Sequence, residues 1–182
     1  MSLRPCFSIF VFLVTCVAVA PARSDSHMED PEYKFEFNPS LVKYWNEGET
    51  QIPAYPKDRN LMEVAGSPTD RGRLFVDSRS VTLGKDKVVR FAYVIESTSG
   101  ARNVFFEGIR CDAQQYKTYA YGTPEGKWKP ISDPKWQPLR YWGQSPYRYN
   151  LARDYLCAEN EYARSPRDIV RRIKYDILDN EP

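Results

Sequence analysis

The run from Val88 to Ser97 constrains the fold more than any other part of this chain. Apolar side chains recur at every second position, which are Val89, Phe91, Tyr93 and Ile95. The intervening positions carry further apolar residues together with Arg90 and Glu96. A period of two is typical of a β-strand, and apolar residues on both sides predict a strand that is partly covered on both faces. We therefore expect a β-sheet at the centre of the chain.

Shorter β-prone runs lie on either side of this strand, separated by turn sequences. The runs are Leu74 to Val76, Ser80 to Leu83, Arg102 to Cys111 and Gln114 to Tyr121. Turns are predicted at 84–87 and 99–100, and a hairpin loop at 123–127 precedes Trp128. Consecutive strands joined by short turns predict an antiparallel β-meander of about four or five strands.

The C-terminal part has helical periodicity. Leu151, Tyr155, Ala158 and Tyr162 recur at helical spacing, which predicts a first helix. Ser165 followed by Pro166 is typical of a helix start, and Ile169, Ile173 and Ile177 then form an apolar stripe. The 14 prolines indicate long loops. We predict an α+β fold in which two C-terminal helices pack on the meander.

The N-terminus is typical of a secretory signal peptide. Arg4 precedes an apolar run from Phe7 to Val19, and residues 20–22 have the small-x-small pattern of a cleavage site. We predict cleavage after Ala22 and export to the periplasm. Two alternatives remain open, which are a retained membrane anchor and a lipoprotein anchored through Cys16.

The rest of the chain suits one domain. Residues 23–37 are predicted to be a flexible or irregular lead, and residues 38–182 a single α+β domain without a membrane-spanning segment. The whole chain has a net charge of +2, and loss of Arg4 leaves +1. Such a weak charge argues against binding to bulk nucleic acid.

Two cysteines, Cys111 and Cys157, remain after removal of residues 1–22. In an oxidising compartment such a pair predicts a disulfide, the alternative being two buried thiols. The chain has one histidine, His27, in the predicted lead. This argues against catalysis by a histidine-activated nucleophile, and neither a metal site nor a cofactor motif is predicted.

Residues 81–139 resemble the cryptic neisserial protein-like family. The resemblance depends on Phe106-Glu107-Gly108-Ile109-Arg110-Cys111, on Tyr116-Lys117-Thr118-Tyr119-Ala120-Tyr121-Gly122, and on Trp128, Trp136 and Pro138. It also includes Leu83-Gly84, Val88 to Phe91 and Ser99 to Val104. It places the family core at about 74–140 and implies an exported, single-domain protein of the bacterial envelope. The family brings no established activity and no catalytic residues to transfer.

Three groups of side chains are candidate sites. A polar strand cluster contains Arg102, Glu107, Arg110 and Lys117. An aromatic loop contains Trp128, Trp136, Arg140, Tyr141, Trp142, Tyr147, Arg148 and Tyr149. The last helix carries a basic face of Arg167, Arg171, Arg172 and Lys174. Each group also has a purely structural interpretation. The polar strand cluster could be cross-strand ion pairs, the aromatic loop could be held by its own aromatic residues, and the basic face could simply be solvated.

Flat aromatic rings beside guanidinium groups suit sugars or peptides. The first functional hypothesis is therefore a non-enzymatic periplasmic module that binds an envelope protein or glycan through the aromatic loop. The second is a hydrolase of envelope polymers that uses Glu107 together with Asp112, Glu96 or Asp77. The third is a lipoprotein with a structural role, anchored through Cys16.

Overall fold

The strands form a single antiparallel sheet. The computed structural model describes residues 44–65, 72–140 and 146–178. The predicted signal peptide (1–22, including Cys16) and the predicted lead (23–37) lie outside these residues, as do Tyr141 and Trp142 of the aromatic loop.

Eight strands are present within the described residues. They are β1 (Leu61–Glu63), β2 (Arg73–Asp77), β3 (Thr82–Leu83), β4 (Val88–Glu96), β5 (Arg102–Arg110), β6 (Gln115–Gly122), β7 (Trp128–Pro130) and β8 (Gln137–Pro138). The order across the sheet is β1-β2-β4-β5-β6-β7, while β3 pairs with β4 and β8 pairs with β6.

The meander β4-β5-β6 is present, but the expected total of about four or five strands was too low. Four of the eight strands, namely β1, β3, β7 and β8, have only two or three residues. A strand of that length shows no alternation that a sequence pattern can detect. The prediction of the long strands was therefore more successful than the prediction of the sheet edges.

One face of the sheet, which we call the helix face, packs against the C-terminal helices. These are α1 (Pro146–Leu151), a π-helical turn that continues it (Ala152–Leu156), and α2 (Pro166–Tyr175). Fully buried side chains of this core include Phe91, Tyr93, Ile109, Leu151, Leu156 and Ile169. Phe91 and Tyr93 lie on the same face of β4, as the alternation in the sequence predicts.

The two helices are shorter than their sequence patterns indicate. The first ends at Leu156, so Ala158 and Tyr162 follow it, and Tyr162 is 58% exposed. The second begins as predicted, because Ser165 Oγ accepts a hydrogen bond from the Asp168 N–H at 3.3 Å. It ends at Tyr175, because the next residue, Asp176, has the left-handed backbone conformation (φ 49°), so Ile177 lies beyond the helix.

The opposite face of the sheet is covered by an irregular segment, residues 44–57, which we call the strap. A small apolar cluster lies beneath it, made of Ala92, Phe106, Tyr119 and Ala120 with Trp128 at its edge. Tyr55 of the strap packs on Trp128 with the ring centroids 5.1 Å apart. Both faces of β4 and β5 are therefore covered, one by helices and one by a segment without regular structure.

A disulfide joins Cys111 and Cys157, which confirms the predicted pairing. The two Cα atoms are 5.6 Å apart, and both side chains are buried. Cys111 follows the last residue of β5 and Cys157 follows the π-helical turn. The bond therefore fixes the first helix against the end of a central strand.

Candidate functional site

Glu107 is the only carboxylate among the described residues that has no exposed surface, and it lies on the helix face. It is in the middle of β5, where the register against β6 shifts so that Thr118 lies opposite it. Arg148 binds it through two atoms, with Nη2 2.6 Å from Oε1 and Nε 2.9 Å from Oε2. Thr118 Oγ1 donates a third hydrogen bond to Oε1 at 2.7 Å. The buried charge is thus paired and hydrogen-bonded.

Tyrosine side chains surround Arg148. Its guanidinium carbon lies 4.5 Å from the ring centroid of Tyr116 and 4.9 Å from that of Tyr147. Nη2 also donates to the hydroxyl of Tyr93 at 3.2 Å, and that hydroxyl is 3.2 Å from the hydroxyl of Tyr147. The cluster joins α1 to the middle of the sheet.

The surroundings shift the pKa values of Arg148 and Tyr93. Burial alone would lower the pKa of Arg148, but the hydrogen bonds to Glu107 outweigh it and the pKa is raised. Burial, followed by the nearby charge of Glu107, raises the pKa of Tyr93 well above its usual value. Neither side chain therefore changes protonation near neutral pH, so neither can act there as a proton carrier.

The other members of the predicted polar strand cluster do not lie around Glu107. Arg102 pairs with Glu96 at 2.7 Å and with Asp58 at 2.6 Å. The guanidinium carbon of Arg110 lies 3.7 Å from the ring centroid of Trp45, and Lys117 is 2.7 Å from Glu47. Arg102 and Arg110 are at even positions of β5 and Glu107 is at an odd one, so they point to opposite faces. The alternation of β5 could have revealed this separation.

Glu47 is the centre of a second polar network, on the strap face. It accepts hydrogen bonds from Lys117 Nζ at 2.7 Å, from the Tyr119 hydroxyl at 2.8 Å and from Trp136 Nε1 at 3.1 Å. Burial opposes ionisation of Glu47, but these hydrogen bonds outweigh it and lower its pKa. Sequence reasoning missed Glu47, because no local pattern connects it with residues 70 or more positions away.

A nearly buried ion pair lies beside it. Arg90 Nη2 is 2.6 Å from Asp86 Oδ2, and the two side chains are 6% and 3% exposed. The strap contributes to this pair, because Gly48 N–H donates to Asp86 at 2.8 Å and Arg90 Nε donates to Thr50 Oγ1 at 2.9 Å. Burial would raise the pKa of Asp86, but the bonds from Arg90 and the backbone lower it. Both acids therefore hold the strap in place as carboxylates.

The aromatic loop is divided between the two faces of the sheet. On the strap face, Trp136 makes an edge contact with Trp45 at 5.7 Å, and Trp128 Nε1 donates to the Pro53 carbonyl at 2.9 Å. On the helix face, Tyr147 is buried and Arg148 binds Glu107. Arg140 is exposed. Trp128, Trp136, Tyr147 and Arg148 thus contact the protein's own residues, and the described members do not form one exposed patch.

The same loop borders a cleft of about 390 Å³ on the helix-face side of β5 and β6. Aromatic and apolar side chains line it, namely Phe105, Tyr121, Ile131 and Pro134. Polar side chains line it as well, namely Asn103, Thr118, Asp133, Lys135 and Gln137. Thr118 is also the residue that hydrogen-bonds Glu107, so one wall of the cleft is fixed by the buried cluster.

The basic face of α2 is partly neutralised by one acid. Asp168 lies 2.7 Å from Arg171, 3.2 Å from Arg172 and 3.6 Å from Arg164. Burial would raise its pKa, but the hydrogen bonds from Arg171 and Arg172 lower it. Arg172 also donates to the Ile177 carbonyl beyond the helix. Two of the four basic residues of this face, Arg171 and Arg172, are therefore engaged in ion pairs with Asp168.

The carboxylates considered as partners of Glu107 in a hydrolase have other contacts. Asp112 lies 3.4 Å from Arg110, Glu96 is bound by Arg102, and Asp77 accepts a hydrogen bond from the Arg79 N–H at 3.2 Å. In the parts of the chain that the structure describes, no three His, Cys, Asp or Glu side chains are placed to hold a metal ion. Those parts also contain no helix long and apolar enough to cross a membrane.

Comparison with known proteins agrees with the resemblance seen in the sequence. No curated protein and no solved structure matches the chain. The sequence model of the CNP1-like family matches residues 41–174, which include the strap, the whole sheet and nearly all of α2. Because this match covers well over half of the 182 residues, the chain belongs to the CNP1-like family.

Proposed function

We propose that this protein is a non-enzymatic binding module of the bacterial envelope, and that its ligand is a glycan held in the cleft beside β5 and β6. The observation that carries the proposal is the lining of this cleft, in which aromatic and apolar side chains lie beside polar ones. Binding sites for small molecules are typically concave and largely apolar, with a few polar groups that fix orientation.

The charges of the cleft favour a neutral ligand. Lys135 Nζ lies 2.7 Å from Asp133 Oδ1, so the charged residues of the lining pair with each other. Tyr121 is 38% exposed and offers a ring face to a sugar. Gln137 accepts a hydrogen bond from the Tyr116 hydroxyl at 2.8 Å, and Asn103 supplies a second amide for sugar hydroxyls.

A non-enzymatic role is supported by the surroundings of Glu107. The carboxylate is completely buried and accepts hydrogen bonds from Arg148 and Thr118. A general acid or base must come within hydrogen-bonding distance of its substrate. Glu107 offers no surface for that contact, and its role in the proposal is to fix the cleft wall through Thr118.

Isothermal titration calorimetry of the purified protein with N-acetylglucosamine oligomers and soluble peptidoglycan fragments tests the proposal. We expect saturable binding that Tyr121→Ala weakens at least tenfold. Tyr175→Ala is the matched control, because Tyr175 is 64% exposed on α2 and does not line the cleft. Binding that is equal in wild type and Tyr121→Ala, or no binding to any of these glycans, would contradict the proposal. Release of new reducing ends would contradict the non-enzymatic role.

Export to the envelope is part of the proposal, and the disulfide and the family membership are compatible with it. The test is the intact mass of the protein isolated from its native envelope without reductant. A mass of residues 23–182 less two hydrogens is expected. A mass that begins at Cys16 with acyl chains would show a lipoprotein, and the mass of all 182 residues would contradict cleavage.

A further inference from the structure

A second cleft, of about 360 Å³, lies between the end of the strap, the 3₁₀ turn Asp58–Asn60 and the turn that follows β2. None of the sites considered so far includes it. Its lining contains three cationic side chains, Lys57, Arg59 and Arg79, and one carboxylate, Asp77. Tyr55 and Ser80 also line this cleft.

The three cationic side chains are exposed and give the cleft a surplus of positive charge. The neighbouring Asp58 carboxylate binds Arg102 at 2.6 Å and forms no ion pair with any of these three side chains. No described carboxylate forms an ion pair with Lys57 or Arg59. The positive charge of Arg79 acts on the Asp77 carboxylate electrostatically, without a side-chain ion pair. A concave surface with clustered cations attracts an anion, and guanidinium groups bind carboxylate and phosphate groups through two atoms at once.

Asp77 is a largely buried residue whose carboxylate lines the cleft and accepts one hydrogen bond. The residue is 4% exposed, and its Oδ1 accepts the Arg79 N–H at 3.2 Å. No group in the described ranges donates to its Oδ2. Burial raises the pKa of Asp77, while the bond and charge of Arg79 oppose it. Because Asp77 lines the cleft and no described group occupies its Oδ2, a ligand hydroxyl group in the cleft can donate a hydrogen bond to this carboxylate.

The walls of this cleft are held by hydrogen bonds that do not depend on a ligand. Ser78 donates to the Asn60 carbonyl through both N–H (3.0 Å) and Oγ (2.9 Å). Ser80 Oγ donates to the Asp77 carbonyl at 2.7 Å and accepts the Ala92 N–H at 2.8 Å. The 3₁₀ turn and the turn after β2 are thus fixed to each other and to β4. A rigid cleft loses little conformational freedom when it binds.

We propose that this cleft binds a small polyhydroxylated acid, a sugar carboxylate or sugar phosphate, with the anionic group at Lys57, Arg59 and Arg79 and a hydroxyl group donating to Asp77. The inference is independent of the proposed glycan cleft, because the two sites share no lining residue. A neutral sugar would leave the cations without a partner, and a simple anion would leave Asp77 without a donor.

The test is an NMR titration of backbone amides in the purified protein with glucuronate, glucose 6-phosphate, glucose and inorganic phosphate. We expect saturable shifts at residues 57–60 and 77–80 with at least one of the two sugar acids. The acid that binds more tightly identifies the anionic group. Glucose and inorganic phosphate should each bind at least tenfold more weakly than that acid. Failure of both sugar acids, or equal binding of glucose or phosphate, would overturn the proposal.

Variants separate the two contacts. The double variant Arg59→Gln/Arg79→Gln changes exposed side chains and should weaken binding of the sugar acid at least tenfold. Arg167→Gln removes an exposed cation on α2 and should leave binding unchanged. Asp77→Asn should weaken binding as well, provided that a thermal melt shows it folded. An unchanged affinity in the double arginine variant would overturn the proposal whatever the behaviour of Asp77→Asn.

Discussion

Arg148 and Glu107, 41 positions apart in the sequence, form an ion pair through which the first helix contacts the middle of the sheet. The carboxylate has no exposed surface, and the arginine side chain is 13% exposed. Two charges at such a place cost free energy to bury, and that cost is recovered only while both are present. The pair therefore specifies where α1 docks, because any other position would leave a buried charge alone.

Removing one member of this pair should destabilise the protein strongly. We expect Arg148→Met to lower the free energy of unfolding by about 3–5 kcal/mol, because Glu107 would be left buried without its partner. Urea denaturation followed by tryptophan fluorescence measures the change. The double variant Glu107→Gln/Arg148→Met should lose less than the sum of the two single variants.

Lys135→Met is the matched control, since it breaks a pair whose side chains are 71% and 74% exposed. It should change the free energy of unfolding by less than about 1 kcal/mol. If Arg148→Met were as mild as this control, the buried pair would not have the role assigned to it.

The strap should loosen in acid because of Glu47. The pKa of Glu47 is lower in the folded protein than its ordinary value of 4.5, so the ionised carboxylate stabilises the folded state above that pH. This stabilisation is lost as the pH falls through the lowered pKa. Glu47→Gln should therefore cost about 1–2 kcal/mol at neutral pH and progressively less below about pH 5. Denaturation curves of both proteins from pH 7 to pH 3 test this, and a difference that does not change with pH would contradict it.

The disulfide should make a large contribution to stability. The sequence separation of Cys111 and Cys157 is 46, and the chain-entropy relation gives about 4 kcal/mol as an upper value for such a loop. We expect Cys111→Ser/Cys157→Ser to melt at a lower temperature than the oxidised wild type. Wild type with reductant should resemble the variant. Peptide mapping without reductant should recover the linked pair, and recovery of both cysteines as free thiols would show the bond to be absent.

The start of α2 offers a smaller and more local test. Ser165 Oγ accepts the Asp168 N–H, so Ser165→Ala should cost about 1 kcal/mol of stability. Ser165→Asp is the matched control, because aspartate also accepts at this position and its charge suits a helix N-terminus. Thermal melts compare the three proteins. Equal stability of wild type and the alanine variant would mean that the cap contributes nothing.

The sequence allowed prediction of those parts of the fold that depend on near neighbours. The alternation in β4, the Ser165-Pro166 helix start and the pairing of Cys111 with Cys157 all depend on local pattern or on simple counting. Each is present in the structure. Of the short strands, β3 lies within the predicted run Ser80 to Leu83 and β7 begins directly after the predicted hairpin loop, whereas β1 and β8 were missed because two or three residues show no period.

The polar networks could not be predicted, because their partners are far apart in the chain. Glu107 was grouped with its neighbours in sequence, while its true partner, Arg148, was assigned to the aromatic loop. Glu47 binds Lys117 and Trp136, which are 70 and 89 positions away. Such pairs depend on which segment covers each face of the sheet. The strap, which carries Glu47, has no periodicity from which its position could be predicted.

The strap makes the domain vulnerable to proteases at a place where it has no regular structure. A cut within residues 44–57 would break no strand and no helix, and the disulfide would remain intact. It would nevertheless uncover the aromatic cluster of Phe106, Tyr119 and Trp128 on the middle of the sheet. An exposed apolar sheet face promotes aggregation. The lifetime of this protein would then depend less on its core than on how tightly Glu47, Thr50 and Tyr55 hold one irregular segment on the sheet.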